Sequence, residues 1–182
     1  LLDAYARSRD RLPKSLLLVV VPRHPQRFDA VAALLAARQV PFSRRSGGDV
    51  DANVQVVLGD SVGELFAYYT AADVAFVAGS LLPLGGQNLI ESLAAGVPTL
   101  IGPHTFNFQQ ASDAAVAAGA ARRARDADDV FTTACMLLAD ARERAAMRER
   151  ATAFMTLHAG AADRLWTWLA PRLSTADRTP PH

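Results

Sequence analysis

Three short segments of this 182-residue chain combine residue types that can hold an anion and a sugar. The first is Pro22-Arg23-His24, where a cation stands beside a rigid proline. The second is Gly59-Asp60-Ser61-Val62-Gly63-Glu64, and the third runs from Gly79-Ser80 through Gly85-Gly86-Gln87-Asn88 to Glu91. Adjacent glycines let a backbone approach a ligand closely, and a helix that follows them directs its unpaired N–H groups at whatever sits there. A phosphate suits that place, with Arg23 able to neutralise it. Asn88 and Glu91 are three residues apart, a spacing that puts them on one helical face. A carboxamide and a carboxylate so placed can grip vicinal hydroxyls such as those of a ribose.

These segments converge only if they lie at the same end of one sheet, and the order of elements predicts that they do. A helix is expected over Leu1 to Arg11, followed by the continuous apolar run Leu16 to Val21, the pattern of a strand buried on both faces. Phe28, Val31, Leu34 and Leu35 recur at helical spacing within Gln26 to Arg38, and a weak strand is predicted near Phe42 to Arg45. Val54 to Leu58, Asp73 to Val77, Thr99 to Ile101 and Ala120 to Ala124 read as further strands. Ser61 and Glu64 match the S-x-x-E capping box, which predicts a helix from Val62 to Ala71. Asn88 to Ala95, closed by Gly96 and Pro98, and Phe108 to Ala118 are the next helices. Ala127 to Leu138, Ala141 to Leu157 and Ala161 to Leu169, the last carrying Trp166 and Trp168, complete the pattern. Strands alternating with helices predict an α/β fold with a doubly wound parallel sheet, in which ligands bind at the carboxyl ends of the strands. All three segments fall there.

Composition narrows the partners. With 51% hydrophobic and 20% charged residues the chain can bury one core, and 19 basic against 18 acidic residues leave a net charge of +1. That balance argues against a nucleic-acid partner, so any anion must be held locally. The single cysteine, Cys135, excludes an internal disulfide and a multi-cysteine metal site, which suits a reducing, cytoplasmic compartment. Leu16 to Val21 is the longest wholly apolar run, well short of the roughly 20 residues of a membrane span. No metal-ligand cluster is expected. Residues 1–173 read as one domain and Ser174 to His182 as a disordered tail; the start at Leu1 rather than Met suggests a piece of a longer protein.

The order G-G-x-N-x-x-E, A-A-G-V-P and a short strand, with P-R-H-P-Q-R-F, G-D-S-V-G-E-L and Gly102-Pro103-His104-Thr105-Phe106-Asn107-Phe108, closely resembles the 3-deoxy-D-manno-octulosonic acid (Kdo) transferases of lipopolysaccharide synthesis. The resemblance covers roughly Leu12 to Ala120, in several motifs in the right order. It implies the Rossmann-like C-terminal half of a glycosyltransferase B fold, with CMP-Kdo as donor and no cofactor. The implied nucleotide contacts are Pro22 and Arg23; Val62, Gly63 and Glu64; and Asn88, Leu89, Ile90 and Glu91. Similar enzymes usually have His where this chain has Gln87, a neutral amide that does not titrate near neutrality.

The resemblance further implies that the catalytic base, a glutamate, lies outside this chain in an N-terminal half that binds the lipid A precursor. Membrane association, at the cytoplasmic face of the bacterial inner membrane, would also be through that half. The implied reaction is inverting transfer of Kdo, with Arg23 and the helix N-terminus able to stabilise the one phosphate of the leaving group without a divalent metal. The donor domain's first strand is also expected to precede Leu1. The isolated chain would then lack a central strand, expose two edges and aggregate.

Each residue also has a duller reading. Glu64 serves as the partner of Ser61 in a cap, Arg23 as a surface cation, and Asn88 and Glu91 as a cap and a first-turn acid. His24 and His104 are expected as loop residues held through the backbone, and Cys135 as packed core. Trp166 and Trp168 suit ordinary packing as well as a contact with another domain. Arg142 to Arg150 reads as a solvated helical face. Rival functions are a related transferase using a UDP- or GDP-sugar and a non-catalytic nucleotide-binding module. A nicotinamide-dinucleotide module is disfavoured because no G-x-G-x-x-G follows the strand at Leu16 to Val21.

Overall fold

The computed structural model describes residues 1–51, 53–160 and 166–171. Among the described residues there are six short strands: β1 (Leu18–Val20), β2 (Ser43–Arg44), β3 (Val56–Leu58), β4 (Ala75–Val77), β5 (Thr99–Ile101) and β6 (Ala121–Arg123). Seven α-helices accompany them: α1 (Leu2–Ser8), α2 (Phe28–Ala37), α3 (Leu65–Ala71), α4 (Ile90–Ala94), α5 (Gln109–Ala117), α6 (Ala127–Ala139) and α7 (Ala141–His158). Residues 166–171 are helical too. The expected tail, 174–182, lies outside the described residues. No helix among the described residues is long and apolar enough to cross a membrane.

Every strand pairing is parallel, so every connection must return across a face of the sheet, and helices fill those returns. The hydrogen-bonded ladder falls into two three-stranded pieces, ordered β1-β3-β2 and β4-β5-β6. β1 and β4 each end their ladder, with one edge that no strand of the described residues pairs. This bears on β1 directly. The run is not buried on both faces as its apolar character predicts, since Val19 in β1 is 36% and Leu17 just before it 50% exposed. By contrast, β3 and β5, central in their ladders, are buried along their whole length.

Two apolar clusters follow the two ladders. Around β3, Leu35 of α2, Ala4 and Tyr5 of α1 and Phe131 of α6 pack with Val56 and Leu58. Around β4 to β6, Val77 and Ile101 pack with Leu89, Leu93, Ala115 and Phe154. A third cluster, Leu100, Val130, Leu137 and Met147, lies between β5 and the pair α6 and α7. Burial of such aliphatic side chains contributes about 1.5–3 kcal/mol each, the dominant favourable term.

The last two long helices are fixed at their starts by sequence: Asp126 accepts from the Asp129 N–H and Asp140 from the Glu143 N–H, at 2.8 and 3.0 Å. The arginines of α7 are more than a solvated face. Arg144 donates to the carbonyls of Leu137 and Leu138 at the end of α6, and Arg148 to the Ala72 carbonyl at the end of α3. These cations complement the negative helix ends they reach. Cys135 is half-buried, with its Sγ 3.9 Å from the Arg11 carbonyl oxygen, so it is less enclosed than a core residue. Trp166 and Trp168 are 64% and 55% exposed, which rules out ordinary burial for either.

Candidate functional site

Because both ladders are parallel, the loops after β1, β3, β4 and β5 all leave from carboxyl ends. Several bonds tie these loops to one another. The Gly59 N–H donates to the Val20 carbonyl at 2.9 Å, bringing the start of the second segment beside the first. A Cβ on Gly59 would come within 3.0 Å of Val21 and 3.1 Å of Tyr68, so the close approach requires glycine. The Arg23 guanidinium donates through Nη1 to Gln87 Oε1, linking the loop after β1 to the loop after β4 across the divide between the ladders. Ser80 binds the β4 and β5 loops together: its hydroxyl donates to the Val77 carbonyl and accepts from the Gly102 N–H at 2.8 Å, and its carbonyl accepts from the His104 N–H at 2.9 Å. His104 is thus held through its backbone, while the His24 carbonyl accepts from the Arg27 N–H.

The glycine pair does something other than open the backbone to a ligand. Gly85 and Gly86 have φ of 88° and 76°, the left-handed region. A Cβ on Gly85 would fall inside the Asn107 carboxamide, and one on Gly86 within 3.3 Å of the His104 carbonyl. Asn107 braces the turn by donating from its N–H to the Gly85 carbonyl and from Nδ2 to the Leu84 carbonyl, at 3.1 and 3.3 Å. The amides of Gly86 and Gln87 are already used, by the carbonyls of Gly79 and Ala78. Among the described residues no hydrogen bond is donated by the main-chain N–H of Asn88 or Leu89. The available backbone donors therefore lie two to three residues beyond the glycines.

The helix is also shorter than Asn88 to Ala95. It starts at Ile90, and Asn88 stands before it with Oδ1 accepting from the Ile90 N–H at 3.0 Å. Asn88 and Glu91 are therefore not successive positions of one helical face. Asn88 is not the N-cap, which is Leu89, but its oxygen is spent on this turn just before the helix, which leaves the amide nitrogen of the side chain as the group for a ligand. Glu91 is exposed in the first turn of α4. It contributes, after burial as the larger cause, to raising the Tyr69 hydroxyl above the usual tyrosine range. The Leu89 side chain is 0% exposed and belongs to the core, so only its backbone is available. Ile90 is half-buried.

In the second segment Val62 is 75% exposed and Gly63 turns the chain with φ of 85° into open space. Helix α3 begins only at Leu65, with no side-chain cap. Ser61 and Glu64 do not form the reciprocal capping box; the Ser61 hydroxyl donates directly to the Glu64 carboxylate. Tyr68 and Arg45 also donate to that carboxylate, at 3.5 and 3.2 Å. The Ser61 bond first, and then the Arg45 charge against the opposing effect of burial, hold the Glu64 carboxyl below the usual range. Pro22 is half-buried and Arg23 exposed.

Sequence patterns point to G-D-S-V-G-E-L but do not reveal what its aspartate does. The Asp60 side chain is 1% exposed and accepts from Arg44 Nε at 2.6 Å, Ser46 N at 2.8 Å and Ser46 Oγ at 2.6 Å. Arg44 also reaches Asp29 of the loop-proximal turn of α2, at 2.9 Å. The loop after β2 is thereby folded over the carboxyl end of β3, which carries Arg45 to Glu64. A cavity of about 350 Å³ opens nearby over Pro103 to Phe106, Gln109, Asp113 and Arg123. Its one guanidinium is committed, to Asp113 at 2.5 Å, Gly102 O at 3.0 Å and Thr105 Oγ1 at 3.1 Å, and none of the expected nucleotide residues lines it.

No protein-family model matches the chain. It is 50% identical over 167 residues to the 3-deoxy-D-manno-octulosonic acid transferase of Bordetella pertussis, a match covering 88% of this chain and 39% of that protein. Over 97 residues it is 50% identical to the transferase of the same name from Haemophilus influenzae, covering 53% of this chain and 23% of that one. The crystal structure of the C-terminal CMP-Kdo binding domain of WaaA from Acinetobacter baumannii matches with a TM-score of 0.79 at 36% identity, covering 85% of this chain and 80% of that one. The fold is thus that of a Rossmann-like domain from the C-terminal half of a glycosyltransferase B architecture. The chain belongs to the 3-deoxy-D-manno-octulosonic acid transferase family. It spans well under half the length of the curated transferases it matches.

Proposed function

We propose that this chain is the donor-binding part of an enzyme that transfers Kdo, with inversion, from CMP-Kdo to a lipid A precursor. The observation that carries the reading is the match in fold and sequence to a CMP-Kdo binding domain. The residues at the strand ends supply a consistent chemistry. Arg23 and the unused amides of Asn88 and Leu89 are donors for the single phosphate of CMP. The Asn88 side-chain amide and the Glu91 carboxylate are suited to the ribose hydroxyls, and Pro22 with the backbone of Val62, Gly63 and Glu64 to the base.

In the transfer step an acceptor hydroxyl oxygen bonds to the anomeric carbon of Kdo, and the bond from that carbon to the phosphate oxygen of CMP breaks. The hydroxyl proton passes to a carboxylate base outside these residues. Charge grows on the departing phosphate, where Arg23 and the two amides stabilise it more in the transition state than in the ground state. The acceptor site and the attachment to the cytoplasmic face of the inner membrane belong to the remainder of the enzyme. Residues 1–173 act as one domain in this scheme.

The test is transfer by the intact protein. With CMP-Kdo and a lipid A precursor, CMP release should require the acceptor and should fall about a hundredfold in Arg23→Ala. Acceptor-dependent turnover of a UDP- or GDP-sugar instead of CMP-Kdo would overturn the reading.

A further inference from the structure

Among the described residues, Gln87 is the one that hydrogen-bonds the side chain of the expected phosphate-binding arginine, and its own main chain is held in place. Its main-chain N–H donates to the Ala78 carbonyl at 3.1 Å, and its side chain runs beside Gly79. A Cβ on Gly79, at φ of 77°, would stand 3.4 Å from both Cγ and Nε2 of Gln87, so the side chain passes close beside that glycine. A guanidinium has only donors. Its contact with the amide therefore fixes which edge of the amide faces it: Oε1 accepts from Arg23 and Nε2 points elsewhere. No hydrogen bond among the described residues uses Nε2.

We propose that Gln87 is a positioning residue for donor binding: it aims the Arg23 guanidinium at the phosphate of the nucleotide. Arg23 is exposed and follows β1, whose ladder is not hydrogen-bonded to that of β4. Left alone, a long exposed side chain samples many rotamers, and ordering it costs conformational entropy. Gln87 removes that cost before the ligand arrives. A neutral acceptor does this without cancelling the charge, as a glutamate would, and without titrating near neutrality, as a histidine would. The inference rests on the reading of Arg23 as the phosphate ligand and extends it to a residue that does not itself need to touch the nucleotide.

The contrast between nucleotide and nucleoside tests it, because a residue that acts through Arg23 matters only when the phosphate is present. In the intact protein, CMP and cytidine affinities are measured by calorimetry for wild type, Gln87→Met, Gln87→Glu and Arg23→Ala. Gln87→Met keeps length and volume while losing the acceptor, and should weaken CMP about tenfold and cytidine less than twofold. In an Arg23→Ala background it should have no further effect on CMP. Gln87→Glu keeps the acceptor but neutralises the cation, so it should also weaken CMP selectively, with a steeper dependence on salt; it serves equally if Gln87→Met fails to fold. Equal losses for CMP and cytidine, unchanged CMP affinity, or additivity with Arg23→Ala overturn the proposal. Indifference of the wild type to the base, with UMP bound as tightly as CMP, sinks the donor assignment but leaves the phosphate contrast measurable with UMP and uridine.

Discussion

Arg44 Nε meets the Asp60 carboxylate at 2.6 Å, with the acid 1% exposed and the arginine 39% exposed. The pair is closed on one side and open on the other, and two bonds from Ser46 complete the buried half. Removing the acid strands a main-chain N–H and a hydroxyl at once and leaves the Arg44 guanidinium with Asp29 alone. Asp60→Ala should therefore cost about 2–4 kcal/mol, below the full cost of breaking an enclosed pair because Arg44 can turn to water. Urea unfolding of the intact protein measures it; a loss under about 0.5 kcal/mol would place Asp60 among ordinary surface positions.

The same acid makes a pH prediction. Burial alone would raise the Asp60 carboxyl, but the side-chain and backbone bonds from Ser46 and the Arg44 bond outweigh it and bring it down to about 2. The folded value lies below the unfolded value of about 3.9, so the stabilisation is complete above that value and is lost as pH falls towards 2. It amounts to about 2 kcal/mol. The stability difference between wild type and Asp60→Asn should be flat above pH 5 and shrink by about that amount between pH 4 and 2. A difference independent of pH over that interval contradicts the assignment.

Two glycines separate strain from collision. Gly96 has φ of 69° with open space where a Cβ would go, so Gly96→Ala should cost about 1 kcal/mol, the left-handed penalty alone. Gly102 has an ordinary φ, but its Cβ would collide with the main-chain carbonyl of Ser80, the residue that joins the β4 and β5 loops. Overpacking of that kind costs about 2–3 kcal/mol, so Gly102→Ala should melt well below Gly96→Ala and weaken CMP as well. The reverse order of melting temperatures would show that the two loops are not packed as described.

Unpaired strand edges predict behaviour of the 182 residues on their own. Val19 in β1 and Leu17 just before it stand exposed, on an apolar edge strand of the kind that pairs with other molecules. The isolated chain should aggregate on concentration, and Val19→Lys, which puts a charge on that strand, should delay aggregation without changing the helix content. A reversible, cooperative melt of soluble wild-type monomer would contradict this.

Much of the fold is legible in the sequence because its strands are short apolar runs bounded by glycine, proline or a cap. Thr99 to Ile101 and the helices behind Asp126 and Asp140 begin and end close to where their residue patterns predict. Local pattern does not say how a side chain is spent. Ser61 and Glu64 fit a capping box by type and spacing, yet Arg45 and Tyr68 arrive from elsewhere and the carboxylate turns to them. Gly85-Gly86 reads as an opening for a ligand, but Asn107, more than twenty residues on, fills that space. Asp60 could not be singled out, because its partners are 14 and 16 residues earlier across a parallel pair of strands. The open face of β1 is likewise not legible, since an apolar run records the character of its side chains and not what covers them.

The proposed donor binding requires a cytidine nucleotide at the ends of β1, β3 and β4. The direct measurement is calorimetric binding of CMP, UMP and GMP to the intact protein, with the double variant Asn88→Ala/Glu91→Ala alongside. CMP should bind at least about tenfold more tightly than UMP or GMP, a margin of about 1.4 kcal/mol, and the double variant should lose that binding. Equal affinities for the three nucleotides, or an undiminished affinity in the variant, would contradict it.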